Sequence, residues 1–295
     1  MIGRPMAAGL AAALLLGAVF SQRSPEPTVA DPGAAAEVEA ATHRDRDAAA
    51  DALRTLEAAL EAALVEGRDG AALTVQAAEQ PGPHLTVAGQ RMGAAEPLAA
   101  AAREALARLA GDLSIRGAQS APSLDLGVGA LSSIGAQLGG SAPAADAFWS
   151  MHRSTQAALD DIGAALAALE AGKPVTALQA MDGADEALSL VRAWRGNLDT
   201  LPIWMDTTVQ LANSIRALAE AVRDRDLAAA RAAEAAYRAA AAQAHRADLA
   251  LAIAVAEGGG SVSSVPLAAA ADALRSVDAA LAEVNEVEVA ASILA

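Results

Sequence analysis

Eight side chains carry most of the chemistry this chain can offer: Phe148, Trp149, Met151, His152, Trp194, Trp204, Met205 and His245. Indole contributes a large apolar face and one N–H donor, imidazole a titratable or ligating nitrogen, and the thioether a soft, adaptable surface. Such a mixture suits either a small-ligand pocket or a Met/His copper site. Aromatic residues make up only 2% of the 295 residues. A level of the molecule that gathers four of them therefore differs chemically from an Ala/Leu body.

Helical-hairpin geometry predicts such a level. In an antiparallel helix pair, residues equidistant from the turn lie at one height. Around Lys173 this pairs Trp149 with Asn197 and His152 with Trp194, and around the Asp224–Arg225 turn it pairs Trp204 with His245. Asn197 in turn faces Trp204 across the Thr200–Leu201 turn. All eight residues are then expected within about two helical turns, or ~10 Å, along one axis. The layer would serve as a ligand-binding site or as a packed cap where alanine is too small to fill space.

Other chemistries find less support. His245 and Asp248 are spaced i, i+3, and Glu39, His43 and Asp47 are spaced i, i+4, i+8, so each set shares a helix face. Arg246, Arg44 and Arg46 beside them disfavour a bound cation. Met151, His152, Met205 and His245 are the better copper candidates, yet Met-x-x-Met and His-rich tracts are absent, so no metal or cofactor is expected. The catalytic signatures Gly-x-Ser-x-Gly, His-Glu-x-x-His and a Gly-Lys-Ser/Thr phosphate loop are missing too. Asp160–Asp161 and Asp185–Glu186 are adjacent in sequence, so on a helix each pair diverges and reads as solvated charge. A remote enzymatic alternative, a hydrolase, would need carboxylates converging from separate helices. The chain resembles exported imelysin-type proteins in being helical, but it lacks their His-x-x-Glu motif and has only His245-x-x-Asp248, so no family is assigned.

The elements that must position these residues are helices. Ala and Leu dominate a chain that is 54% hydrophobic, and β-branched residues are sparse, which predicts an all-α fold. There is no cysteine, so disulfides, thiolate metal sites and a lipidated cysteine are excluded. The net charge of −15, without a basic run to offset it, excludes a nucleic-acid partner.

Arg4 followed by the uncharged stretch from Met6 to Phe20 reads as an export signal over residues 1–21. Its apolar stretch falls short of the ~20 residues that span a bilayer, favouring a cleaved signal peptide, with an uncleaved tether through residues 6–20 as the other outcome. Residues 22–36, rich in proline, read as a flexible spacer.

Beyond the spacer, residues 37–116 are expected as an N-terminal helical segment. Leu53, Leu56, Leu60 and Leu64 mark a helix ended by Gly67–Gly70, and Leu98, Leu106, Leu109 and Leu113 mark another opened by Glu96 and Pro97. Residues 84–90 between them read as a brief extended segment. The Gly/Ser-rich stretch 117–143 is expected as a surface loop. Residues 144–295 are expected as a C-terminal up-down bundle of five antiparallel helices, with stops at Gly172, Gly196–Pro202 and Gly258–Gly260. The functional expectation is an exported, non-enzymatic binding or interaction module whose partner is a protein or small molecule, and whose Leu/Ala faces permit self-association. Its alternative is a periplasmic copper- or iron-handling protein.

Overall fold

The computed structural model describes residues 32–293 apart from 117 and 119, and is all-helical, with no strand among the described residues. The expected export signal at 1–21 lies outside them. By its internal contacts the chain divides into a short unit, residues 1–41, and a large one, residues 42–295. In the first, residues 32–41 are helical, so the segment expected to be a spacer through residue 36 is already helix at its end.

Eight helices are described: α1 (Pro32–Gln76), α2 (Gly82–Ala94), α3 (Glu96–Ile115), α4 (Ala130–Glu170), α5 (Pro174–Ala193), α6 (Leu201–Arg223), α7 (Leu227–Ser261) and α8 (Ser264–Ile293). Helices α2, α3, α5 and α6 open with proline in the first two positions, where its missing N–H costs nothing. Helix α7 opens on Asp226, whose carboxylate accepts from the Ala228 and Ala229 amides. Gly172 ends α4 in the left-handed region, φ 69°, and the Lys173 amide donates back to Ala168 at 2.8 Å. No single helix among the described residues is long and apolar enough to cross a membrane.

Two apolar cores share α4. Its first half contributes Leu131, Ile134 and Leu138 to a core with Leu53, Leu56 and Leu60 of α1, Met92 of α2, Leu109 of α3 and Val277 of α8. Its second half packs with α5, α6 and α7, around Trp204 and Leu251 at one level and around Met181 and Ile215 at another. Because α4 is continuous from Ala130, the expected boundary at 143/144 falls inside a helix.

Several expected breaks are not breaks, for one physical reason. Glycine here permits close packing more often than it ends helices. Helix α1 runs through Gly67 and Gly70 because a side chain at either would strike Leu267 or Leu85 of a neighbouring helix, at 2.7 and 3.0 Å. Helix α7 runs through Gly258–Gly260, where the Phe148 ring lies against Gly258 and Gly259, and the turn to α8 comes only at residues 262–263.

The segment read as extended, 84–90, belongs to α2, whose buried Leu85, Ala88, Gly89 and Met92 follow helical spacing. Of the Gly/Ser stretch 117–143, residues 120–129 are a loop and residues 130–143 are helix. Where α2 and α4 cross, Gly89 and Gly135 meet backbone to backbone. A Cβ on Gly89 would lie 2.5 Å from the Gly135 carbonyl oxygen, and a Cβ on Gly135 the same distance from that of Gly89. Both lie in small-residue motifs, Gly89-x-x-x-Gly93 and Gly135-x-x-x-Gly139, but it is the missing side chains of Gly89 and Gly135 that make this crossing possible, since a Cβ on Gly93 or Gly139 meets nothing within 4 Å.

Both crossing helices are capped by carboxylates from neighbours in space. Glu96, from the start of α3, accepts from the amides of Gly129 (2.9 Å), Leu131 (3.1 Å) and Ser132 (3.3 Å) at the start of α4. Burial opposes ionisation of Glu96, but these three amides and the Arg103 guanidinium outweigh it and hold the carboxyl below its ordinary range. Asp146 of α4 in turn accepts from the Gly82 amide at 2.7 Å at the start of α2. Only tertiary packing supplies these acceptors, so α4 begins where no local capping residue announces it.

Candidate functional site

The eight residues singled out above divide into three groups. Phe148, Met151, Trp204 and Met205 are buried in one core layer, and Trp194 packs against it. Trp149 and His152 are half-buried; His152 meets the backbone at the end of α1, and Trp149 packs under Arg153 of its own helix. His245 is exposed on α7.

The hairpin pairings explain this division. The Trp194 ring meets Phe148 edge-on, with centroids 5.9 Å apart at 84°, one helical turn from the expected His152. The Trp204 indole donates to Asp248 at 3.3 Å, again nearly a turn from the expected His245. A shift of three or four residues keeps the height approximately right and exchanges the partner. His245 therefore does not join the layer, and its i, i+3 neighbour Asp248 is occupied by an indole.

Trp204 is fully buried and its one donor is satisfied, so it fills the core and presents no surface to a ligand. Trp149 lies under the Arg153 guanidinium, 5.7 Å from its ring centroid, and its own N–H is buried without a partner. Arg153 also donates to the Ala77 carbonyl at 3.3 Å, just past the end of α1. His152 sits against the Val75 backbone; burial lowers its pKa, and the Val75 backbone opposes that shift only in part. His152 and Arg153 thus serve the carbonyl-rich end of α1, where basic side chains are favoured.

The other sets of interest have structural partners. Asp47 is held by Arg46 at 2.6 Å. Asp185 pairs with Arg216 at 2.5 Å, and Arg216 also reaches Asp182 at 3.0 Å, joining α5 to α6. The Asp161 carboxylate lies over Gly183 and helps set the α4–α5 contact. Among the described residues no group of three or more His, Asp or Glu side chains is placed to hold a metal ion.

The concave feature of this region is a cleft of about 510 Å³ between the end of α5, the 194–200 connection and the start of α6. Of the eight residues only Trp194 and Met205 reach it. Its apolar side is formed by Val191, Trp194, Leu198, Leu201, Met205 and Val209, and its polar side by Arg192, Asn197, Asp206 and Gln210. Local sequence builds this shape. Leu201, Met205 and Val209 recur every four residues, so they line one stripe of α6. Trp194 leaves the helix in an extended conformation, φ −62° and ψ 138°, and its indole folds over Gly196, where any side chain would collide with the ring. The aromatic residues gave the level of the cleft; the α6 stripe was the sequence signal that would have given its floor.

The fold and cleft define the protein at the level of class: an all-α protein with two cores sharing one long helix. No family model, curated protein or solved structure matches this chain.

Proposed function

We propose that this protein is an exported, non-enzymatic binding module, its helices arranged up and down around the two cores, and that the cleft beneath Trp194 is its ligand site. The observation that carries this reading is the cleft itself. Its volume lies within the roughly 300–1,000 Å³ of small-ligand sites, and it combines a continuous apolar floor with a few polar groups at the rim. Trp194 and Met205 supply the adaptable apolar surface that such sites use. Export is supported by the positively charged start and apolar stretch at 1–21. The metal-handling alternative loses ground because His245 is exposed while His152 is engaged with α1.

The test is titration of the full chain with N-phenyl-1-naphthylamine, a neutral apolar dye, followed by energy transfer from tryptophan. Saturable one-to-one binding that vanishes in Val209→Trp, which fills the cleft, is expected. Binding that survives this substitution would place the site elsewhere. Export is tested separately by fractionating cells that carry a tagged chain and sequencing its N-terminus; full-length protein in the cytoplasm would refute it.

A further inference from the structure

Two charged side chains at the cleft, Arg192 in the last turn of α5 and Asp206 in the second turn of α6, have no ion-pair or hydrogen-bond partner among the described residues. The same pair of helices shows what engaged charges look like here. Arg216 grips both Asp182 and Asp185 and closes one side of the α5–α6 contact. At the cleft the arginine and the aspartate stay farther apart than ion-pair distance, over an apolar floor of Val191, Leu201 and Met205.

Three charge types of ligand can be compared on this arrangement. An anion meets Arg192 but faces Asp206 and a chain of net charge −15. A cation meets Asp206 and is favoured by the overall field, but sets a like charge near Arg192. A zwitterion satisfies both groups without a net field penalty, and the Asn197 and Gln210 amides at the rim offer donors and acceptors for its remaining hydrogen bonds.

We infer that the cleft, on the binding reading given above, takes a zwitterionic molecule with an apolar body, of the α-amino-acid class. Its carboxylate meets Arg192, its ammonium meets Asp206, and its side chain lies on Trp194 and Met205. The guanidinium fork suits a carboxylate geometrically, and Asp206 accepts from an ammonium through either oxygen.

The experiment uses the full chain and four probes of one shape: L-phenylalanine, its amide (a cation), its N-acetyl derivative (an anion) and the N-acetyl amide (neutral). Binding is read from tryptophan fluorescence excited where phenylalanine does not absorb. L-Phenylalanine is expected to bind tightest, with each loss of a charge weakening binding about two- to fivefold, the range for contacts with exposed charges such as Arg192 and Asp206. Arg192→Gln should erase the preference for a free carboxylate and leave that for the ammonium; Asp206→Asn should do the reverse. If the neutral probe binds as tightly as the zwitterion, or if both variants leave the order unchanged, the ligand class is overturned while the cleft remains a site. If no probe binds and the neutral dye is also insensitive to Val209→Trp, the class and the binding reading fall together.

Discussion

Replacing Gly135 by alanine and, separately, Gly139 by alanine makes a test whose answer is a sign. The two positions lie one turn apart on α4 and belong to the same small-residue motif. A Cβ at Gly139 meets nothing within 4 Å, whereas one at Gly135 lies 2.5 Å from the Gly89 carbonyl oxygen and 2.9 Å from the Gly93 amide nitrogen. Alanine in a helix interior is favoured over glycine by roughly 0.5–1 kcal/mol, so Gly139→Ala should stabilise by about that amount.

At Gly135 the same gain is opposed by contact with backbone, which cannot swing away as a side-chain tip can. Restoring ordinary contact near 3.4 Å requires α2 and α4 to separate by about 0.9 Å at their crossing. Overpacking of this kind costs roughly 1–3 kcal/mol, leaving Gly135→Ala destabilised by about 1 kcal/mol net. The pair should therefore differ by about 2 kcal/mol, or roughly 4–8 °C in Tm for a domain of this size. Urea and thermal denaturation of the full chain, followed by circular dichroism, measure it. Equal stabilisation by both substitutions would refute the backbone-to-backbone crossing.

Three further outcomes follow from buried polar groups. Thr208 is 1% exposed and its hydroxyl has no partner, so the nearly isosteric Thr208→Val should stabilise by about 1 kcal/mol in urea denaturation. Glu96→Gln removes the charge from three amide contacts at the start of α4 and should cost about 1–2 kcal/mol at neutral pH. Because the folded Glu96 pKa is depressed, its contribution is fully present above the unfolded value of 4.5 and is lost as pH falls through the folded one; Glu96→Gln should flatten the stability profile in that acidic window. His152 is also depressed, so its neutral form belongs to the fold: stability should decline as pH drops below the ordinary 6.5 toward the folded value, and His152→Gln should remove that part of the decline in a pH series of urea melts.

Much of the fold was legible because short-range chemistry encodes it. The Leu53, Leu56, Leu60, Leu64 stripe, the Glu96–Pro97 opening of α3 and the Gly172 stop depend on neighbours within a turn or two, and each appears where spacing and side-chain type place it. The extension of α1 through Gly67, the first half of α4 and the passage of α7 through Gly258–Gly260 were not legible. There glycine faces another helix, and a one-dimensional reading cannot distinguish a glycine that ends a helix from one that admits a neighbour.

The candidate site shows the same division. Aromatic scarcity and hairpin arithmetic gave its height in the molecule, because a helix rises by a fixed amount per residue. They could not give its face: a shift of three residues exchanged His245 for Asp248 beside Trp204, and the turn at 194–200 placed Trp194 over a cleft while burying Trp204 completely. By itself the sequence determined an acidic, cysteine-free, all-helical chain whose unusual side chains cluster near one level. Tertiary structure alone decided which of them fill the core and which border open space, since that depends on the rotation and close approach of helices far apart in the chain.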